Sequence, residues 1–195
     1  MRSPRERMVI SAALLIRERG AHATAISDVL EHSGAPRGSA YHYFPGGRTQ
    51  LLCEAVDYAG EHVGAIIDKA CSSLDLLDTL IDKYRRQLLD SDYRAGCPIV
   101  AVSVESGFET DDAQDRERMA PVIERAAAVF DRWNGQVAQR LIADGIPAVL
   151  ASELAVLTTS ALEGAIVLAR VRRDVAPLDL IHRQLRNSLL AALKK

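Results

Sequence analysis

Apolar residues recur at three- and four-residue intervals through almost the whole chain, and no stretch alternates apolar with polar long enough to read as a strand. That periodicity admits helices and little else. Glycine and proline cut it into pieces. Residues 5–19 carry Met8, Ala12, Leu15 and Ile16 at helical spacing and stop at Gly20. Thr24 is placed to cap a second helix with Ile26, Val29 and Leu30 on its buried face, ending at Ser33-Gly34. Pro36, whose fixed φ suits a first helical turn, opens a third helix through Phe44, and Pro45-Gly46-Gly47 breaks it. Longer helices follow over 49–70 and 74–90. A Gly-Cys-Pro break at 96–98 precedes a short apolar helix to Phe108. The acidic stretch 109–115 reads as a loop or helix entry. A long helix then runs to Ala143 with Pro121 early in it, and two more occupy 147–171 and 178–193. The expected fold class is all-α.

Residues 24–44 hold the most specific pattern. Two short helices joined by a tight turn at Gly34 make a helix-turn-helix, in which the second helix enters the major groove and the first braces it. A merely structural hairpin would bury its second helix, yet residues 37–44 offer only Ala40 and Phe44 as clear core residues. Tyr41, His42 and Tyr43 stand in a row that no short helix can bury. With Pro36, Arg37, Gly38 and Ser39 they form a surface able to meet phosphates, sugars and base edges. Thr24 and Arg48, at the entries of the flanking helices, join them as expected DNA contacts; Arg48 follows the Gly46-Gly47 turn, where a cation suits a phosphate. One of Tyr41 and Tyr43 can instead pack its ring on the fourth helix. Charge points the same way. Residues 1–48 hold seven Lys or Arg against four Asp or Glu, net +3, and the remainder holds seventeen against twenty-two, net −5.

Other functions find no support in the residues. There is no nucleophile elbow, no Walker loop and no HExxH, so an enzyme is not expected, nor a cofactor. His22, His32 and His42 fall on separate elements without Cys or carboxylate partners, so no metal site is expected. Three cysteines, Cys53, Cys71 and Cys97, lack metal-ligand spacing and make no disulfide framework, and the N-terminus has no leader pattern. A cytoplasmic protein is expected. The apolar stretch 148–171 is interrupted by Glu153, Glu163 and Arg170, so no membrane span is expected.

The N-terminal segment resembles the TetR family of bacterial repressors. Gly34, Gly38, Tyr41 and Phe44 occupy the places of that family's GxxxGxxYxxF signature. The link to the fourth helix, Phe44-Pro45-Gly46-Gly47-Arg48, is one residue longer than usual. This form, with Gly96-Cys97-Pro98 and LEGAIVLAR at 162–170, is similar to the branch that contains lincomycin-resistance repressors. The resemblance implies a three-helix DNA-binding domain over 1–48 and a helical ligand-binding and dimerisation domain over 49–195. It implies a homodimer on a pseudo-palindromic double-stranded DNA operator, released by a small apolar or amphipathic effector. The alternative is a helical small-molecule-binding or protein-interaction module that reads no DNA sequence.

Within 49–195, the scarce aromatic residues Phe108, Phe130 and Trp133 line an effector cavity or fill a core. Cys97, Val100 and Val104 are expected beside them, Cys97 as a redox sensor, a pocket wall or an inert buried thiol. Glu163, in an Ala- and Leu-rich helix, faces that pocket, pairs with an Arg across a dimer interface or sits at the edge in water. Helix 147–171 is apolar on more than one face, which a surface helix does not need. Leu154, Thr158, Ala161, Leu162, Ala165 and Ile166, with Ile181, Leu185 and Leu189 from the last helix, are the expected dimer contacts, making a four-helix bundle across a twofold axis.

Overall fold

In the computed structural model, which describes residues 2–105 and 113–194, every regular element among the described residues is an α-helix. The elements are α1 (Pro4–Arg19), α2 (Ile26–Ser33), α3 (Ser39–Tyr43), α4 (Gly47–Lys69), α5 (Ser73–Asp90), α6 (Pro98–Val104), α7 (Ala113–Ala143), α8 (Ala148–Arg172) and α9 (Ala176–Ala192). Local chemistry sets their ends. Ser3 and Glu6 form a capping box at the start of α1: Glu6 N–H donates to Ser3 Oγ at 3.2 Å, and Ser3 N–H to Glu6 Oε2 at 2.7 Å. Gly20 ends that helix at φ +90°, a conformation that favours glycine. Pro121 lies inside α7, which runs on past it.

The chain forms two compact units. The first comprises Met1–Glu61 and Cys97–Val129, and the second His62–Gly96 and Phe130–Lys195. In the first, α1 packs on α2, α3 and α6, burying Met8, Ile16, Val29, Ala40, Phe44, Ile99 and Val102. In the second, α5, α8 and α9 pack on one another around Leu77, Ile81, Tyr84, Ile166, Leu178 and Leu185. Ionic contacts tie α5 to α9: Asp78 accepts from Arg186 Nη1 at 2.8 and 2.9 Å and lies 2.6 Å from His182 Nε2, and Arg85 pairs with Asp179. Burial raises the Asp78 carboxyl, but the hydrogen bonds from His182 and Arg186 more than offset it and leave its pKa below the ordinary value.

By length and composition, α8 is the one helix among the described residues apolar enough to cross a membrane. Its packing against α5 and α9 accounts for much of that character. The rest stays at the surface, where Val149, Val156, Leu157, Val167, Leu168 and Val171 are exposed.

Candidate nucleic-acid interface

Asp28 opens α2 by accepting the Ala25 N–H at 3.3 Å, so Ala25 rather than Thr24 is the cap residue. The Thr24 hydroxyl instead donates to Gly20 O at 2.7 Å, and Thr24 is buried. At the other end Gly34 takes φ +62°, and the Ala35 N–H returns to Leu30 O at 3.2 Å, closing the turn. The third helix begins at Ser39, not at Pro36. Pro36–Gly38 forms a turn whose Pro36 carbonyl accepts both the Ser39 N–H, at 2.9 Å, and the Ser39 hydroxyl, at 2.6 Å.

This geometry sorts the expected DNA contacts. Ala40 and Phe44 turn inward, each 1% exposed, and hold α3 against the first unit's core. Pro36, Arg37, Gly38 and His42 are exposed, and Tyr41 is 76% exposed. Tyr43 is half-buried, with its ring edge-on to His42 at 5.1 Å. Arg37 makes no ion pair among the described residues, whereas Arg19 pairs with Asp28 and Arg5 with Glu54. The outward row therefore presents one guanidinium, one phenol and one imidazole, from Arg37, Tyr41 and His42. Groups of these kinds can hydrogen-bond to phosphates and base edges.

Three expected contacts do not stand on that surface. Thr24 is buried, and the Ser39 hydroxyl is engaged by Pro36 O. Arg48 is turned back into the fold: its Nε donates to Thr24 O at 3.0 Å and its Nη2 to Ala21 O at 2.6 Å and His22 O at 3.1 Å. A charged donor satisfied by three carbonyls is a brace, not an outstretched phosphate contact. Glu105, which no sequence pattern singles out, joins the same loop, its carboxylate accepting N–H groups there. Glu105 lies 84 residues from Ala21 along the chain, so no local pattern could signal it.

The expected effector residues fall in both units. Trp133 and Glu163 line one small apolar cavity in the second unit with Val63, Ile67, Leu80, Tyr84, Val137, Thr158, Thr159 and Leu162. Phe130 meets Trp133 edge to face at 5.7 Å. The cavity measures about 20 Å³, roughly the room one water needs. Cys97, Val100 and Val104 belong to the first unit; Cys97 is buried and Val104 exposed. Phe108 lies outside the described residues.

The expected dimer residues divide by their burial within the single chain. Leu154, Thr158, Leu162, Ala165, Ile166, Leu185 and Leu189 are each under 9% exposed inside their own unit. They already pack α8 against its neighbours and have little area left for a second chain. Ala161 and Ile181 remain half-exposed, and both line an open apolar groove with Gly164, Leu168, Pro177 and Leu180.

Comparison with known proteins gives consistent matches along the chain. The model for bacterial regulatory proteins, tetR family, matches residues 10–55, and that for the transcriptional regulator LmrA/YxaF-like C-terminal domain matches residues 73–184. A protein of Mycobacterium tuberculosis (strain ATCC 25618 / H37Rv), described as the uncharacterized HTH-type transcriptional regulator Rv0196, is 78% identical over 193 residues, covering 99% of this chain and 97% of that one. The HTH-type transcriptional regulator YxaF of Bacillus subtilis (strain 168), likewise described as uncharacterized, is 30% identical over 185 residues, 93% of this chain and 92% of that one. The crystal structure of a TetR transcriptional regulator from Legionella pneumophila shares the fold with a TM-score of 0.80, at 16% identity and over 96% of this chain and 98% of that one.

Proposed function

The chain belongs to the TetR family and is a DNA-binding transcriptional regulator, not an enzyme; from that premise we propose which of its surfaces perform the regulation. Arg37, Tyr41 and His42, with the backbone of Pro36 and Gly38, meet the major groove of an operator, and Tyr43 touches it from the edge. The observation that supports this is the outward row on α3, anchored from behind by Ala40 and Phe44. Residues 1–48 serve as the reading head and 49–195 carry effector binding and dimerisation. Two heads, one from each protomer of a homodimer, engage two half-sites related by a twofold axis. The protein acts as a repressor in the cytoplasm, where its operator lies.

Arg37→Ala is expected to weaken binding to a duplex that the wild-type protein has selected from a randomised library. The loss is about 1–3 kcal/mol if Arg37 reads a base, and smaller with a shallower salt dependence if it touches only phosphate. Fluorescence anisotropy at two salt concentrations measures both. Wild-type affinity and salt slope, with the fold intact by circular dichroism, would remove Arg37 from the interface.

The second unit's cavity is the proposed effector site. Its apolar walls, the Tyr84 and Trp133 rings and the buried Glu163 carboxylate suit a small apolar or amphipathic molecule. At about 20 Å³ the cavity must open to admit one, so entry favours a rearranged second unit. Trp133 is the only tryptophan, so its emission reports on this site. Lipophilic compounds that release the selected duplex are expected to quench or shift that emission over the same concentrations. Releasing compounds that leave Trp133 emission unchanged would place the effector elsewhere.

A further inference from the structure

Residues Gly20 to Thr24 join α1 to α2, so the path of this loop sets where the α2–α3 pair stands relative to α1. Two charged side chains from other helices grip it from two chemical sides. Glu105, the residue that ends α6, accepts the Ala21 N–H at 3.1 Å and the His22 N–H at 3.2 Å through Oε2, and His22 Nδ1 lies 3.2 Å from the same oxygen. Arg48, from the first turn of α4, donates to the carbonyls of Ala21, His22 and Thr24. The loop's donors thus face an anion and its acceptors face a cation. Ala21 is fully buried, so its N–H has no solvent to turn to if the carboxylate is removed.

Gly20 fits the same device. Its φ of +90° favours glycine, and a Cβ there would stand 2.1 Å from Glu105 Oε1. The room beside this backbone is the room the carboxylate occupies. Neither Glu105, with its side chain 11% exposed, nor Arg48 lies on the outward row of α3.

We propose that Glu105 and Arg48 are positioning residues for DNA binding: together they hold the Gly20–Thr24 loop and thereby fix the α2–α3 pair in its reading orientation. The proposal rests on the assignment of α3 as the reading helix. Charge-assisted hydrogen bonds are the stronger kind, and a buried N–H left without an acceptor is destabilising. Loss of the carboxylate therefore loosens this loop before it unfolds the unit, whose apolar core does not include Glu105.

Glu105→Ala and Glu105→Gln are compared with wild type on the selected duplex, alongside amide hydrogen exchange of the peptide spanning 20–24. The alanine variant is expected to exchange faster over those residues and to bind roughly tenfold more weakly. The glutamine variant keeps an acceptor oxygen and recovers a large part of both. The sign is informative, since removing a negative charge by itself raises affinity for a polyanion. Wild-type or tighter binding by Glu105→Ala, or unchanged exchange over 20–24, overturns the proposal. If Glu105→Ala does not fold, Glu105→Gln decides alone: an intermediate loss of affinity supports the positioning role and wild-type affinity overturns it. Arg37→Ala separates the two claims. If it weakens binding while Glu105→Ala does not, only the positioning role fails; if Arg37→Ala also binds as wild type, the reading assignment fails with it.

Discussion

Leu168→Asp combined with Leu180→Asp is expected to leave a folded monomer whose affinity for the selected duplex is lower by two orders of magnitude or more. Both leucines are half exposed in the single chain, at 50% each, so replacing them removes little from the unit's own core. Both line the open groove formed by α8 and α9, beside Ala161, Gly164 and Pro177. A Cβ placed on Gly164 would meet nothing within 4 Å, so this side of α8 is open to a second helix. A stable dimer buries roughly 1,200–2,000 Å² in total, and an interface of this kind is apolar at its centre. Two carboxylates per protomer then become four in one apolar interface, and burying them there is costly even with Arg172 and Arg183 at the groove's edge. Once the dimer is lost, the second half-site is no longer presented at high effective concentration, and the affinity gain of roughly 10²–10⁴ from bivalent binding disappears. Sedimentation equilibrium at micromolar protein and anisotropy on the same samples measure the two effects. A variant that remains dimeric would move the interface off this groove.

Phe44→Ala is expected to destabilise the first unit by about 3–5 kcal/mol, in the range for deleting a buried aromatic ring. At five residues α3 is too short to stand as an isolated helix, so its position depends on what it buries. Ala40 and Phe44 are the two inward residues, and the Arg5 guanidinium lies over the Phe44 ring, 5.4 Å from its centroid. Ala40 has little area to contribute, so Phe44 is the principal anchor. The midpoint of urea unfolding measures the loss. Weaker DNA binding should accompany it under folding conditions, because an unanchored α3 no longer presents a fixed surface. A change below about 1 kcal/mol would mean that other contacts hold α3 in place.

Helix order was readable because the chain uses two strong local signals: a 3.6-residue apolar period and Gly or Pro at the breaks. The Gly34 turn and the inward Ala40 and Phe44 follow from those alone, whereas the choice of Tyr41 over Tyr43 as the outward ring needed the fold. What escaped depends on partners far along the chain. A basic residue after Gly46-Gly47 looks like a phosphate contact until the fold brings the carbonyls of residues 21, 22 and 24 within its reach. Glu105 carries no local signal. Thr24 is the local exception: its hydroxyl turns back to Gly20 O, four residues away, instead of capping α2. On α8 the difficulty is of another kind. A helix apolar on several faces does not say which face its own unit covers, and Leu162 and Leu168 are alike in sequence though one is buried and the other is not.

The exposed face of α3 is expected to read DNA sequence in a dimer. Selection of duplexes from a randomised library by the wild-type protein, followed by sequencing, tests it most directly. The expected result is enrichment of a pseudo-palindrome whose half-sites lie about one helical turn, or a multiple of it, apart, with binding that weakens steeply as salt rises. Enrichment of no sequence above the starting library, or of a single unrepeated half-site by a dimeric protein, would contradict it.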